Sequence, residues 1–292
     1  MMRIGVVVMP TDPWSQALDT ARRLDRMGFD HLWVYDHLSW QRYRERPWFA
    51  PYPWLAGIAG ATSTIRLGTL VANPNLRHAA TLAKDAMTID HIAEGRFTLG
   101  IGAGGLGFDA TVLGQAPLTP GQRVDRLGEY VESIDGLLRG STTSYSGEYV
   151  TIDDARMLPG CIQQPRVPIA IAAGAPRSIA LVAQYADAWI TLGDTTGAGT
   201  PTNEAVGAQS ALLDRTLTDV GRSSDAVDRI LLTGHDGQRP LASFDAFADA
   251  AGRAAEMGID ELIVHHPRAD DEHWNDDPAI LEEIAGRREE LP

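Results

Sequence analysis

Short runs of β-branched and other apolar residues recur along this chain, and each is followed by a stretch with apolar positions at helical spacing. Arg3–Val8, His31–Tyr35, Arg66–Val71 and Arg96–Ile101 have the pattern of parallel strands covered on both faces. Pro13–Met27, Pro51–Ala61 and His78–Ile92 lie between them and predict amphipathic helices. Two of the three begin with proline, which suits a first helical turn, and Gly28 and Gly95 stand where helices stop. The second half repeats the theme with strands at Val167–Ala172, Asp187–Thr191, Arg229–Thr233 and Glu261–His265. Its helices fall at Gln122–Leu138, Arg177–Tyr185, Asn203–Asp219, Phe244–Met257 and Ala279–Arg288. Strictly alternating strands and helices imply parallel pairing through right-handed crossovers. At this length a closed (β/α)8 TIM barrel fits better than an open doubly wound sheet, which periodicity alone leaves open.

Two insertions interrupt the alternation. Ser39–Ala50 follows the second strand and carries Trp40, Tyr43, Trp48 and Phe49 among three arginines. Ser141–Asp154 follows the fourth helix, and its Tyr-Ser-Gly-Glu-Tyr run at 145–149 predicts a small hairpin. With no linker, low-complexity tract or further repeat, one domain over 1–292 is expected.

Composition narrows the function. The chain is 44% hydrophobic and 22% charged, an ordinary globular balance, with a formal net charge of −14. Such acidity repels phosphate backbones and anionic lipid, so neither nucleic acid nor a membrane surface is the expected partner. An anionic small molecule needs a local site of backbone N–H groups or arginines. Cys161 is the single cysteine, so no intrachain disulfide forms and a reducing cytoplasm is expected. The N-terminus lacks the sections of a signal peptide, and no apolar run is long enough to span a membrane.

A barrel of this kind places its active site at the C-terminal ends of the strands. Asp36-His37 is the most informative pair there. An imidazole exchanges protons near neutrality, and an adjacent carboxylate can hold its tautomer. The plain alternative is a capping Asp beside a surface His. Gly102-Ala103-Gly104-Gly105-Leu106-Gly107 matches G-x-G-x-x-G, but it follows the fourth strand, and Pro117 and Pro120 delay the next helix, so a dinucleotide fingerprint does not fit. Glycines that let a flat ring approach the backbone fit better. At Ala173-Gly174-Ala175-Pro176-Arg177, N–H groups near a helix start beside an arginine make an anion site or an ordinary tight turn with equal ease. His31, His78 and His91 read as structural, and no metal-ligand spacing or nucleophile elbow is present.

Several longer segments together resemble the luciferase-like monooxygenase superfamily, over nearly the whole chain. They are Gly28–His37, Leu67–Pro74 with Leu76-Arg77-His78, Asp90–Phe97 with Leu99–Gly104, Arg123 with Arg126–Val131, and the Ala172–Pro176 turn. The resemblance implies FMN or the deazaflavin F420 at the barrel mouth. It implies a non-prolyl cis peptide at Leu70–Val71 behind the ring, with Asn73 at the same strand end. Gly102, Ala103 and Gly104 would run along the cofactor, and Gly174 and Ala175 would hold its phosphate, next to Ala173 and Arg177. The Asp36-His37 pair is typical of the F420 branch, which favours F420 over FMN. Many members carry a Glu soon after the strand-4 glycines; here Asp109 is the nearest carboxylate, a shorter acid. Some F420 members have a basic residue after the sixth strand, where this chain has Gly193-Asp194.

Three functions compete on these grounds. One is F420-dependent hydride transfer to or from a small organic substrate, with His37 or Asp109 supplying a proton. Another is an FMN-dependent monooxygenase using reduced flavin and oxygen. The third is a barrel that binds a flavin without catalysis, against which a titrating pair at a strand end counts. Trp40, Trp48 and Phe49 suggest an apolar lid, though aromatic insertions also serve as dimer contacts. The resemblance implies a homodimer.

Overall fold

The structure, a computed structural model, describes residues 2–40, 43–194, 200, 202–235 and 237–292. Gln41 and Arg42 of the aromatic insertion thus lie outside the described residues. The first four strands are β1 (Arg3–Val7), β2 (His31–Val34), β3 (Arg66–Thr69) and β4 (Phe97–Ile101). The hairpin strands β5 (Thr142–Ser146) and β6 (Thr151–Arg156) follow, and then β7 (Ile169–Ala172), β8 (Ala188–Thr191), β9 (Asp228–Leu232) and β10 (Glu261–His265). Apart from the antiparallel hairpin, these strands close into a parallel barrel in the order β1-β10-β9-β8-β7-β4-β3-β2. The fold is the expected TIM barrel, and the hairpin stands in the expected insertion.

The helices are α1 (Trp14–Met27), α2 (Pro51–Ala59), α3 (Ala79–Ile92), α4 (Phe108–Thr111), α5 (Pro120–Arg139), α6 (Pro176–Tyr185), α7 (Thr202–Asp219), α8 (Phe244–Glu256) and α9 (Ala279–Gly286). Their starts follow the local chemistry. Thr119 caps α5 in a reciprocal box with Gln122, and Ser243 accepts the Ala246 N–H at the start of α8. α4 was not expected, because four residues are too few to show a helical period.

Side chains alternate strictly between two apolar regions. Val6, Val8, Leu32 and Val34 pack outward against the helices, whereas Val7, Met9, Trp33 and Tyr35 fill the barrel interior. Trp33 is fully buried there, and room for its indole comes from missing side chains on neighbouring strands. A Cβ on Gly68 would overlap the indole, and one on Gly5 would lie 2.8 Å from its Nε1. Below Trp33 sits the carboxylate of Glu261, also fully buried. It accepts from His31 Nδ1 at 2.7 Å and from Trp33 Nε1 at 2.8 Å. Arg66 Nε donates to His31 Nε2 at 3.1 Å, which puts the imidazole proton on Nδ1, facing Glu261. Burial alone would raise this carboxyl, but His31, Trp33 and nearby Arg3 hold it below the ordinary carboxylate range. Among the described residues, no helix is long and apolar enough to cross a membrane.

Candidate active site

Asp36 and His37 both line the cleft past the end of β2, but their side chains bond to different partners. Asp36 therefore does not orient His37. Its fully buried carboxylate accepts the Asn73 N–H at 3.0 Å and a fork from Arg77 at 3.1 and 3.2 Å. Arg77 in turn stacks 4.0 Å above the Tyr52 ring. The pair fastens the exit of β2 to the segment after β3.

The carboxylate that meets His37 comes from α4. Asp109 Oδ2 lies 2.5 Å from His37 Nδ1, and its other oxygen faces the Leu38 N–H at 3.4 Å. The Asp109 side chain is 8% exposed and that of His37 28%. One oriented imidazole thus stands at the cleft, and no hydrogen-bond partner of its Nε2 occurs among the described residues.

Aromatic side chains form the wall around it. Trp40 is buried and stacks on His37, with centroids 5.9 Å apart, and on Trp274 at 5.9 Å and 4°. Trp274 stacks on His265 at 3.6 Å, and His265 Nε2 meets the Tyr35 hydroxyl at 2.6 Å. His235 approaches the same hydroxyl at 3.3 Å. Trp48 packs edge-on to His37 at 5.9 Å. Phe49 does not join the wall: it is exposed, and its backbone N–H donates to Pro10. Sequence reasoning gave His235, His265, Tyr35 and Trp274 no role. Only the period of two along β2 pointed to Tyr35.

Two clefts meet at His37. One, of about 400 Å³, is lined by Tyr35, His37, Trp40, Leu70, Val71 and the Gly102–Gly105 backbone. The other, of about 340 Å³, shares His37 and Trp40 and is closed by Leu106, Phe108 and Asp109. The Leu70–Val71 peptide is cis, as the resemblance implied. The carbonyls of Ala103 and Gly104 are turned outward and accept from Arg126 and Arg123 of α5, at 3.0 and 2.9 Å.

The turn before α6 is more committed than its sequence suggests. The Ala173 N–H donates to Ile190, and its carbonyl accepts from Trp189 Nε1. The Ala175 N–H faces the Ser178 hydroxyl at 3.3 Å, and exposed Arg177 is paired with Asp125. The Gly174 N–H has no protein acceptor among the described residues. Gly193 has a φ of 86°, and Asp194 accepts the Thr200 N–H at 3.2 Å. Among the described residues, no cluster of three or more metal-ligating side chains occurs.

Comparison with known proteins follows this geometry. Residues 2–233 match the family model described as luciferase-like monooxygenase. An uncharacterized protein of Mycobacterium tuberculosis is 28% identical over 98% of both chains. An F420-dependent glucose-6-phosphate dehydrogenase of Microbacterium testaceum is 30% identical over 74% of this chain and 62% of its own. Among solved structures, an F420-dependent secondary alcohol dehydrogenase in complex with an F420–acetone adduct superposes with a TM-score of 0.83. It covers 100% of this chain and 99% of its own at 16% identity, which speaks for the fold.

Proposed function

Because the chain belongs to the luciferase-like monooxygenase family, we propose that it is an F420-dependent oxidoreductase acting on a small organic substrate. The observation that carries this reading is the His37–Asp109 pair, held at 2.5 Å beside a cleft of about 400 Å³. That cleft lies within the range of small-molecule sites. Its residues fit a flat heterocycle: Leu70, Val71, Ala72 and Ala172 offer an apolar face, and at Gly105 even a Cβ would meet nothing within 4 Å. When bound, F420 supplies hydride transfer at a ring carbon and reacts poorly with oxygen.

The chain's own residues orient the substrate and handle the proton. Asp109 accepts from His37 Nδ1 and so fixes the imidazole plane. Nε2 then donates to the oxygen of a carbonyl substrate as it gains hydride, or accepts from the hydroxyl of an alcohol as it loses one. Trp40 and Trp48 hold the imidazole and keep water from the reacting atoms. Asp36 acts as a positioning residue that keeps Asn73 and the segment after β3 in place through Arg77.

The name of the Microbacterium relative supports the F420 reading. The same reading takes 1–292 as one domain and the protein as a homodimer, to be checked by light scattering. The cofactor test is a titration of the purified protein with F420 and with FMN, followed by turnover assays with the ligand that binds. Tighter binding of FMN, with oxygen consumption on supplying reduced flavin, would return the protein to the monooxygenase branch.

A further inference from the structure

The cleft of about 400 Å³ that His37 lines contains a second hydrogen-bonding station, which the proton transfer does not use. Tyr35, two residues earlier, lines the same cleft, with its ring centroid 6.2 Å from that of His37. Its hydroxyl lies 2.6 Å from His265 Nε2, and the His265 ring is stacked against Trp274 at 3.6 Å. Tyr35 and His265 are both buried, so the phenol is fixed in place. His235 approaches from the exposed side. Its Nε2 lies 3.3 Å from the Tyr35 oxygen, a long and weak contact that a ligand oxygen can replace at little cost.

His235 and Trp40 line this cleft and also a further one, of about 340 Å³, so the two clefts adjoin across those side chains. The chemistry on the two sides differs. The inner cleft offers Leu70, Val71, Leu192 and Leu232. The outer one is lined by Gln238 and Arg239 from the loop after β9, and by Glu272 and His273 from the loop after β10.

Charge narrows what the outer cleft accepts. Arg239 is already paired with Asp276 at 2.6 Å and bonded to Asn275 at 3.1 Å. Glu272 brings a negative charge to the same lining. A phosphate or carboxylate there would face Glu272 while the guanidinium beside it is engaged elsewhere. Amide, imidazole and carboxylate groups suit hydroxyls instead, because a hydroxyl both donates and accepts.

We propose that the substrate is an uncharged hydroxylated compound. A hydroxyl next to its reacting carbon is bound by Tyr35 and His235, and the rest of its polar arm lies in the outer cleft. Tyr35 and His235 thus determine specificity and take no part in moving hydride or proton. This deepens the oxidoreductase reading above and rests on it for the place of the reacting carbon beside His37.

The test measures binding of four ketones by saturation-transfer NMR, with and without saturating F420, at about pH 8, above the ordinary imidazole range. Acetone lacks the hydroxyl and hydroxyacetone adds it. Erythrulose lengthens the arm, and dihydroxyacetone phosphate ends it in an anion. The proteins are the wild type, Tyr35→Phe, His235→Ala and Glu272→Lys, with folding checked by circular dichroism.

The wild type should bind hydroxyacetone about fivefold or more tightly than acetone, as one or two neutral hydrogen bonds allow. Tyr35→Phe and His235→Ala should bring hydroxyacetone down to the acetone level and leave acetone unchanged, which a general loss of structure would not do. Erythrulose should bind more tightly than the phosphate ester, and Glu272→Lys should reverse that order. Equal wild-type affinities for acetone and hydroxyacetone, or binding of neither, overturn the proposal. A preference that the folded Tyr35→Phe and His235→Ala variants both keep overturns it as well. If only the reversal in Glu272→Lys fails, the arm does not enter the outer cleft and that half is overturned. His235 is exposed, so its alanine variant carries the comparison should Tyr35→Phe not fold. If F420 itself does not bind, the cofactor reading fails, and the measurements without F420 still decide the substrate class.

Discussion

His37 Nδ1 and Asp109 Oδ2 lie 2.5 Å apart, although 72 residues separate them along the chain. One comes from the exit of β2 and the other from α4, so the pair exists only once two neighbouring loops have packed. Asp109→Asn puts an amide where the carboxylate accepts and should lower turnover at least about tenfold, as should His37→Ala. The double variant should be little worse than the poorer single one, because the two side chains act as a unit. Steady-state kinetics on all three variants checks this, and additive losses would separate the two residues.

F420 should bind at least about tenfold more tightly than FMN, a difference of about 1.4 kcal/mol. Fluorescence titration of each cofactor measures it directly. Equal affinities would remove the F420 assignment while leaving the fold and the paired imidazole as they are.

Gly68→Ala should destabilise the barrel. The added methyl would overlap the Trp33 indole, which is fully buried and has no open side to move into. Overpacking of this kind costs about 1–3 kcal/mol. A urea midpoint equal to that of the wild type would mean that the indole shifts at no cost.

Acid should weaken the fold through His266. Burial, with Arg23 and Arg268 adding to it, pushes this imidazole down from 6.5 to about 4. Between those values the unfolded chain binds a proton that the folded chain refuses, so stability falls as pH drops from about 6.5 toward 4. His266→Asn should lose less stability between pH 7 and pH 5 than the wild type does. Parallel urea curves at the two pH values decide it, and equal losses in both proteins would refute the assignment.

The barrel was legible because its cause is local. Strands buried on both faces and helices buried on one leave a mark within a few residues, so the expected strand limits differ from the observed ones by at most two residues. The site was legible only in part. His37 was placed by the rule that strand ends carry chemistry, Trp40 by the aromatic insertion, and the Leu70–Val71 segment by the family resemblance. Asp36 looked like the partner of His37 because the two are adjacent, yet its carboxylate is taken by the Asn73 N–H and by Arg77. The Asp109 contact, and the one between Tyr35 and His265 across 230 residues, leave no trace in local pattern. Phe49 shares its segment with Trp40, Tyr43 and Trp48 but stays exposed, since four aromatics on one short loop need not face one way.

The pairing of β1 with β10 has a consequence for how the protein is made. Arg3–Val7 has β2 on one side from early in synthesis, but its other edge waits for Glu261–His265. Until those residues leave the ribosome, β1 and β9 each present an open row of backbone donors and acceptors. The loops that carry His37 and Asp109 can pack long before that seam closes. The closing contact is thus among the most distant in sequence, which favours slow final assembly and a half-built sheet exposed to aggregation.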